Sequence, residues 1–288
     1  MPVLFFSGDT LPHDLGPNAR LSTILSHTLD HWLEDSLETG LKNNVEESQK
    51  LSIALDGGEK ALFFPPPSFF PSCIRSDNCP VSSESQLADV TLKLFLPEST
   101  TVKTAVKALT DALNAHSQYL KPHKFKSLII SFEGLSFADC VNTDYLLENE
   151  LLAEIWRQLT HVANKIATIQ EYGVSELSTW RLKLLFENIE AFKDPSIPYP
   201  SIDHINAADC CALPPALILF SKERNIRLLA NHDPEKMLCN GELKELIEKT
   251  GVATGSDIKW NWILRMTAVV PNRQVLTANK YLVSMGSN

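Results

Sequence analysis

The sequence predicts an α/β protein, and within that class a (β/α)8 barrel. Short β-like runs near residues 90, 128, 166, 202 and 227 alternate with amphipathic helices. Parallel neighbours need a crossover of a dozen or more residues, which these separations supply. The length of 288 residues suits a barrel, for which ~250 is typical. A doubly wound sheet satisfies the first two observations equally well.

Val90–Phe95 (VTLKLF) reads as the first of these strands. Val102, Ala105, Val106, Leu109 and Leu113 then recur at helical spacing behind Ser99 and Thr100, which can cap the orphan amides of a first turn. Ser127–Phe132 (SLIISF) is a continuous apolar strand, and the helix after it carries Leu152, Ile155, Trp156, Leu159, Val162, Ala163 and Ile166 on one face. Lys165–Gln170 is the third strand, with Ser175 as cap of a helix bearing Leu177, Trp180, Leu184 and Ile189. Ser201–Asn206 is the fourth. A helix follows at Pro214-Pro215, where a proline in the first turn sacrifices no useful N–H, and it turns Leu217, Phe220 and Ser221 inward. Arg227–Asn231 is the fifth strand. Asp233-Pro234 opens a last helix with Met237, Leu238, Leu243, Leu246 and Ile247, which Gly251 can end.

Two regions break this rhythm. Residues 56–88 contain Gly57-Gly58, Phe64-Pro65-Pro66-Pro67, Pro71 and Pro80, and read as a long mobile insertion. Trp260–Val283, split by Pro271-Asn272-Arg273, reads as a β-hairpin. Residues 1–288 are expected to form a single barrel domain.

Composition removes several function classes. Lys plus Arg total 26 against 35 Asp plus Glu, a net charge of -9, which opposes binding to nucleic-acid phosphates. No run approaches the ~18 apolar residues of a membrane span. Met1–Phe6 followed by Ser7-Gly8-Asp9 does not resemble a signal peptide. The six scattered cysteines read as buried thiols rather than a disulfide framework. These features place the protein in the cytoplasm, away from nucleic acid and membranes.

Catalytic signatures are missing. Gly57-Gly58 lacks the spacing of a phosphate-binding glycine loop, no G-x-S-x-G elbow is present, and neither H-E-x-x-H nor paired C-x-x-C motifs could hold zinc. His27 and His31 lie four apart with Asp30 and Asp35 nearby, but no third ligand accompanies them and a solvated helix face explains them. Cys73 and Cys79 read as inert thiols or as a pair able to bridge. Cys210 and Cys211 follow the fourth strand, on the side where barrels gather functional loops, and serve either packing or an interface. His232-Asp233 closes the fifth strand and offers either proton transfer or an ordinary helix cap. Lys93 stands in mid-strand, where burial is costly. It is either a lysine with a lowered pKa or one buried against a carboxylate.

The stretch Ile205–Pro215 (INAADCCALPP), continued by FSKERNIRLLANHDPEKML to Leu238, resembles the regulatory (modifier) subunits of glutamate-cysteine ligase. The tail, W-x-W-I-L-R from Trp260 with its closing K-Y-L-V, and Lys93 in its K-L-F setting extend the resemblance over roughly 90–283. That family is similar to the aldo-keto reductases, NADPH-dependent (β/α)8 barrels. The resemblance implies a non-catalytic subunit, without a cofactor or metal, that binds the catalytic subunit as a heterodimer. It improves glutamate use and relieves feedback inhibition by glutathione. Cys210, Cys211, Pro214, His232 and Asp233 are the interface candidates. Lys93 matches the reductase lysine as a vestige, while Ser131 or Phe132 occupies the histidine position, and the first of five tyrosines is Tyr119, beyond Lys93. The alternative, an active NADPH-dependent reductase, would need a tyrosine such as Tyr119 or Tyr145 to reach Lys93.

Overall fold

The computed structural model describes residues 2–7, 19–38, 52–54, 60–65, 89–119, 124–138, 149–206, 213–252, 258–270 and 275–287. In chain order these form β1 (Val3–Phe6), α1 (Leu21–Glu38), β2 (Ser52–Ala54), β3 (Lys60–Phe64), β4 (Asp89–Leu96), α2 (Val102–Tyr119), β5 (Lys124–Phe132) and α3 (Asn149–Ile166). Next come β6 (Thr168–Ser175), α4 (Thr179–Phe192), β7 (Ile202–Asn206), α5 (Pro215–Glu223), β8 (Arg227–Asn231), α6 (Asn240–Thr250), β9 (Ile258–Val270) and β10 (Val275–Ser287). They fall into two units, one of residues 1–90, 111–122 and 237–288, the other of residues 91–110 and 123–236.

The first unit is mixed. β9 and β10 form the predicted hairpin, and β1 runs antiparallel to β10 and parallel to β3, which in turn pairs antiparallel with β2. Apolar side chains drive this arrangement: all of β1 is buried, and Phe64 lies 6.1 Å from Phe5 and 5.9 Å from Trp32 between ring centroids. β3 thus corrects part of the insertion expected over 56–88. Lys60–Phe64 (KALFF) is a strand with Ala61–Phe64 in the core. Residues 56–59 and 66–88, with Cys73 and Cys79, lie outside the described residues. α1 carries His27 and His31 on a helix as expected, and is tied to α6 by Ser22 Oγ donating to Glu242 (2.7 Å) and by Lys249 pairing with Asp30 (2.6 Å).

The second unit is all parallel, in the order β4-β5-β6-β7-β8. The crossovers after β5, β6 and β7 carry helices, as the alternation predicts. The described strands do not close into a ring in either unit, so the α/β class holds and the strand pairing does not complete an eightfold barrel. Three boundaries also move. α3 runs to Ile166, so β6 begins at Thr168 rather than 165, because the apolar stripe ending at Ile166 outlasts the strand signal. Ser175 is the last residue of β6, and Ser178 is the N-cap of α4. The last helix starts at Asn240, capped by the Cys239 N–H donating to Glu242 (2.8 Å), instead of at Asp233. At α2, Thr101 rather than Ser99 or Thr100 caps: its N–H donates to Thr104 Oγ1 (2.8 Å) and its hydroxyl accepts from the Thr104 N–H (3.3 Å).

Candidate functional site

Strand register sorts the side chains of the parallel sheet into rows. Lys93, Ile129, Gly173, Ile202 and Arg227 stand side by side across the five strands. Leu94, Ile130, Val174, Asp203 and Leu228 form the next row, on the opposite face. The first face is mixed in polarity; the second is apolar except for Asp203.

Lys93 is buried, with its side chain 2% exposed, and its ammonium donates to Asp233 Oδ2 (2.6 Å) and Ser175 Oγ (2.8 Å). Its row partner on β8 is Arg227, and Asp233 lies six residues further on. In a flat sheet β4 and β8 would stand roughly 19 Å apart, with a further ~20 Å along the strand to Asp233. A contact at 2.6 Å therefore requires the five strands to curl, and the chain after Asn231 to fold back over the concave face. Gly173 permits the curl: a Cβ there would meet the Ile202 Cβ at 2.8 Å and Ile129 Cγ1 at 3.2 Å. The sequence left Lys93 either as a low-pKa lysine or as one buried against a carboxylate, and the second arrangement is the one formed. Asp233 is its carboxylate and not a helix cap.

Around this pair the strand ends are knitted together. The Asp233 N–H donates to Asn231 Oδ1 (3.0 Å), and its carbonyl accepts from Asn206 Nδ2 (3.0 Å). Glu176 Oε1 accepts from the Asn206 N–H (2.7 Å) and Asn231 Nδ2 (3.2 Å). Glu176 itself is held in a left-handed conformation (φ 61°), a cost of about 1–3 kcal/mol that the surrounding hydrogen bonds sustain. Ser175 Oγ and the Glu176 N–H both donate to the His204 carbonyl, at 3.1 and 2.9 Å.

Electrostatics follow burial. Removal from water pushes the Glu176 carboxyl upward, against the Asn231 and Asn206 hydrogen bonds and the nearby Lys93 charge that pull it down. Asp203 is fully buried in its apolar row, and among the described residues neither oxygen has a side-chain donor. Desolvation drives its pKa well above the ordinary aspartate value, outweighing the Leu177 N–H that faces it and the Lys93 charge. Burial therefore favours the protonated form of Asp203. Tyr172, whose hydroxyl donates to Asn164 Oδ1 (2.6 Å), is pushed by burial up to about 12.

The site thus brings together two predicted residues, Lys93 and Asp233. His232 lies beside Asp233 and is exposed, and Pro214 is the half-buried N-cap of α5. Cys210 and Cys211 lie outside the described residues. Ser175, Glu176, Asp203, Asn206 and Asn231 were missed. The signal for four of them is positional, since each ends a strand or directly follows one; for Asp203 it is a carboxylate inside a short strand, between Ile202 and Ile205. Among the described residues no three His, Cys, Asp or Glu are placed to hold a metal, and no described helix is long and apolar enough to cross a membrane.

Fold and site together define an α/β protein whose curled parallel sheet carries a buried lysine-carboxylate network at the C-terminal ends of its strands. No known family model matches the chain. It is 26% identical over 204 residues to the human glutamate–cysteine ligase regulatory subunit, covering 69% of this chain and 67% of the human one. The bovine regulatory subunit gives the same figures, and the rat one is 26% identical over 141 residues, 48% of this chain and 47% of its own. The chain is a distant homologue of the glutamate–cysteine ligase regulatory subunits.

Proposed function

We propose that the protein is a non-catalytic regulatory subunit of glutamate–cysteine ligase: it binds the catalytic subunit, improves its use of glutamate and relieves inhibition by glutathione. The observation that carries this reading is the shared identity of relatives aligned across 69% of the chain. Two features of the chain support it. The Lys93 ammonium is engaged by Asp233 and Ser175, and no tyrosine precedes Tyr119 in the sequence to act with it as a proton donor. The curl that carries Lys93 to Asp233 suits an aldo-keto reductase-like barrel retained as a single scaffold after loss of reductase chemistry. Regulation of this kind is a coupling free energy between interface and substrate site, typically ~1–3 kcal/mol, which a partner can supply without touching substrate. Pro214, His232 and Asp233, together with Cys210 and Cys211 of the segment that follows β7 in the sequence, are the proposed docking residues, in the cytoplasm.

Steady-state kinetics of the purified catalytic subunit with and without this chain test the reading. A lowered apparent glutamate KM or weakened glutathione inhibition is the expected result. Unchanged kinetics at saturating chain would refute it and direct attention to NADPH-dependent carbonyl reduction.

A further inference from the structure

We infer that Lys93 is a positioning residue for partner recognition: through Asp233 it fixes the shape of the exposed segment His232–Lys236, which the catalytic subunit reads. The inference rests on the proposed function and adds to it a residue buried beneath the contact surface.

Beyond Asn231 the chain leaves the sheet, and regular structure resumes only at Asn240. A connector of this kind ordinarily owes its shape to little. Here a single residue, Asp233, is fixed at three points: its N–H by Asn231, its carbonyl by Asn206 and its carboxylate by Lys93. Asn206 and Asn231 are themselves held by the same Glu176 oxygen. On either side of this anchor His232, Pro234, Glu235 and Lys236 are exposed.

A buried ion pair is no stronger than a well-packed apolar pair of the same size, so stability alone does not account for it; its best-attested use is to select one conformation. The conformation selected here is that of the exposed segment. A segment ordered before binding presents its groups without the cost of immobilising them at the interface, and affinity rises accordingly. Lys93, in mid-strand on β4, would touch no partner; its effect on binding runs wholly through Asp233.

The test uses the full chain and the purified catalytic subunit, with wild type, Lys93→Met and the paired apolar variant Lys93→Met/Asp233→Leu. Amide exchange reports the segment, and titration reports affinity. In both variants exchange over residues 232–236 is expected to accelerate while α3 keeps its wild-type protection. Binding weakens tenfold or more in both; in Lys93→Met, which leaves the contacting groups intact, the glutamate KM at saturating chain returns to the wild-type complex value. A purely structural role would lower the melting temperature and leave the affinity of the folded molecules unchanged. The paired variant strands no charge and carries the test should Lys93→Met fail to fold. Wild-type affinity in a folded variant overturns the inference while leaving the proposed function standing, as does unchanged exchange over 232–236. Failure of the wild-type chain to bind the catalytic subunit overturns both.

Discussion

Replacing Gly173 by alanine adds one methyl group where β6 lies closest against Ile202 of β7. In a strand interior the change ordinarily helps, because glycine costs roughly 0.5–1 kcal/mol relative to alanine. At Gly173 the added Cβ would stand 2.8 Å from the Ile202 Cβ and 3.1 Å from the Ile202 carbonyl oxygen. Both atoms are fixed to the neighbouring backbone, so no rotamer relieves the clash and β6 must move away from β7. Overpacking of this kind costs about 1–3 kcal/mol, which cancels the usual alanine gain and leaves a net loss of up to about 2.5 kcal/mol. Urea unfolding followed by circular dichroism measures it, with Gly241→Ala as the control. Gly241 lies in the first turn of α6 with nothing within 4 Å of its added Cβ, and its substitution should be neutral or stabilising by up to about 1 kcal/mol. A Gly173→Ala protein more stable than wild type by the full alanine gain would refute the close β6–β7 approach.

Three other outcomes follow from the same geometry. Lys93→Met strands a carboxylate that is 11% exposed and should cost about 3–5 kcal/mol, most of it recovered in Lys93→Met/Asp233→Leu; additive losses on urea unfolding would contradict the coupling. Burial holds the Asp203 pKa above its unfolded value, so the folded chain binds this proton more tightly than the unfolded chain, which releases it above pH ~4; the contribution to stability is full below that pH and is lost as pH rises toward the folded-state pKa. Asp203→Asn should therefore gain on wild type progressively from pH 4 upward in unfolding titrations, and a gap independent of pH would count against a protonated Asp203. Lys249→Ala breaks a pair with Asp30 whose partners are 33% and 50% exposed, and should cost at most about 1 kcal/mol, falling further in high salt.

Much of this architecture was legible because apolar periodicity reports burial directly. VTLKLF and SLIISF were readable as strands and the stripe Leu152–Ile166 as a helix, since each buries one continuous apolar surface. The hairpin of β9 and β10 was readable from its β-rich runs and the central Pro271-Asn272. What failed was local polarity. Asp233-Pro234 carries the signature of a helix start, but the Lys93 charge draws Asp233 over the sheet and delays the helix to Asn240. Ser175 reads as a cap for the same reason any serine before an apolar stripe does; its hydroxyl instead accepts from Lys93, a partner 82 residues away that no local pattern reveals. KALFF was absorbed into a proline-rich insertion because Pro65-Pro66-Pro67 outweighed five residues of strand. Lys93 stood out because a charge inside an apolar strand needs a partner, though the identity of that partner is a property of the curl and not of the strand.

Association with the catalytic subunit is the claim on which the account stands, and sedimentation velocity of an equimolar mixture of the two purified proteins tests it most directly. A single boundary at the mass of a one-to-one complex, persisting at micromolar concentration, is the predicted result. Two boundaries at the masses of the separate proteins would contradict it.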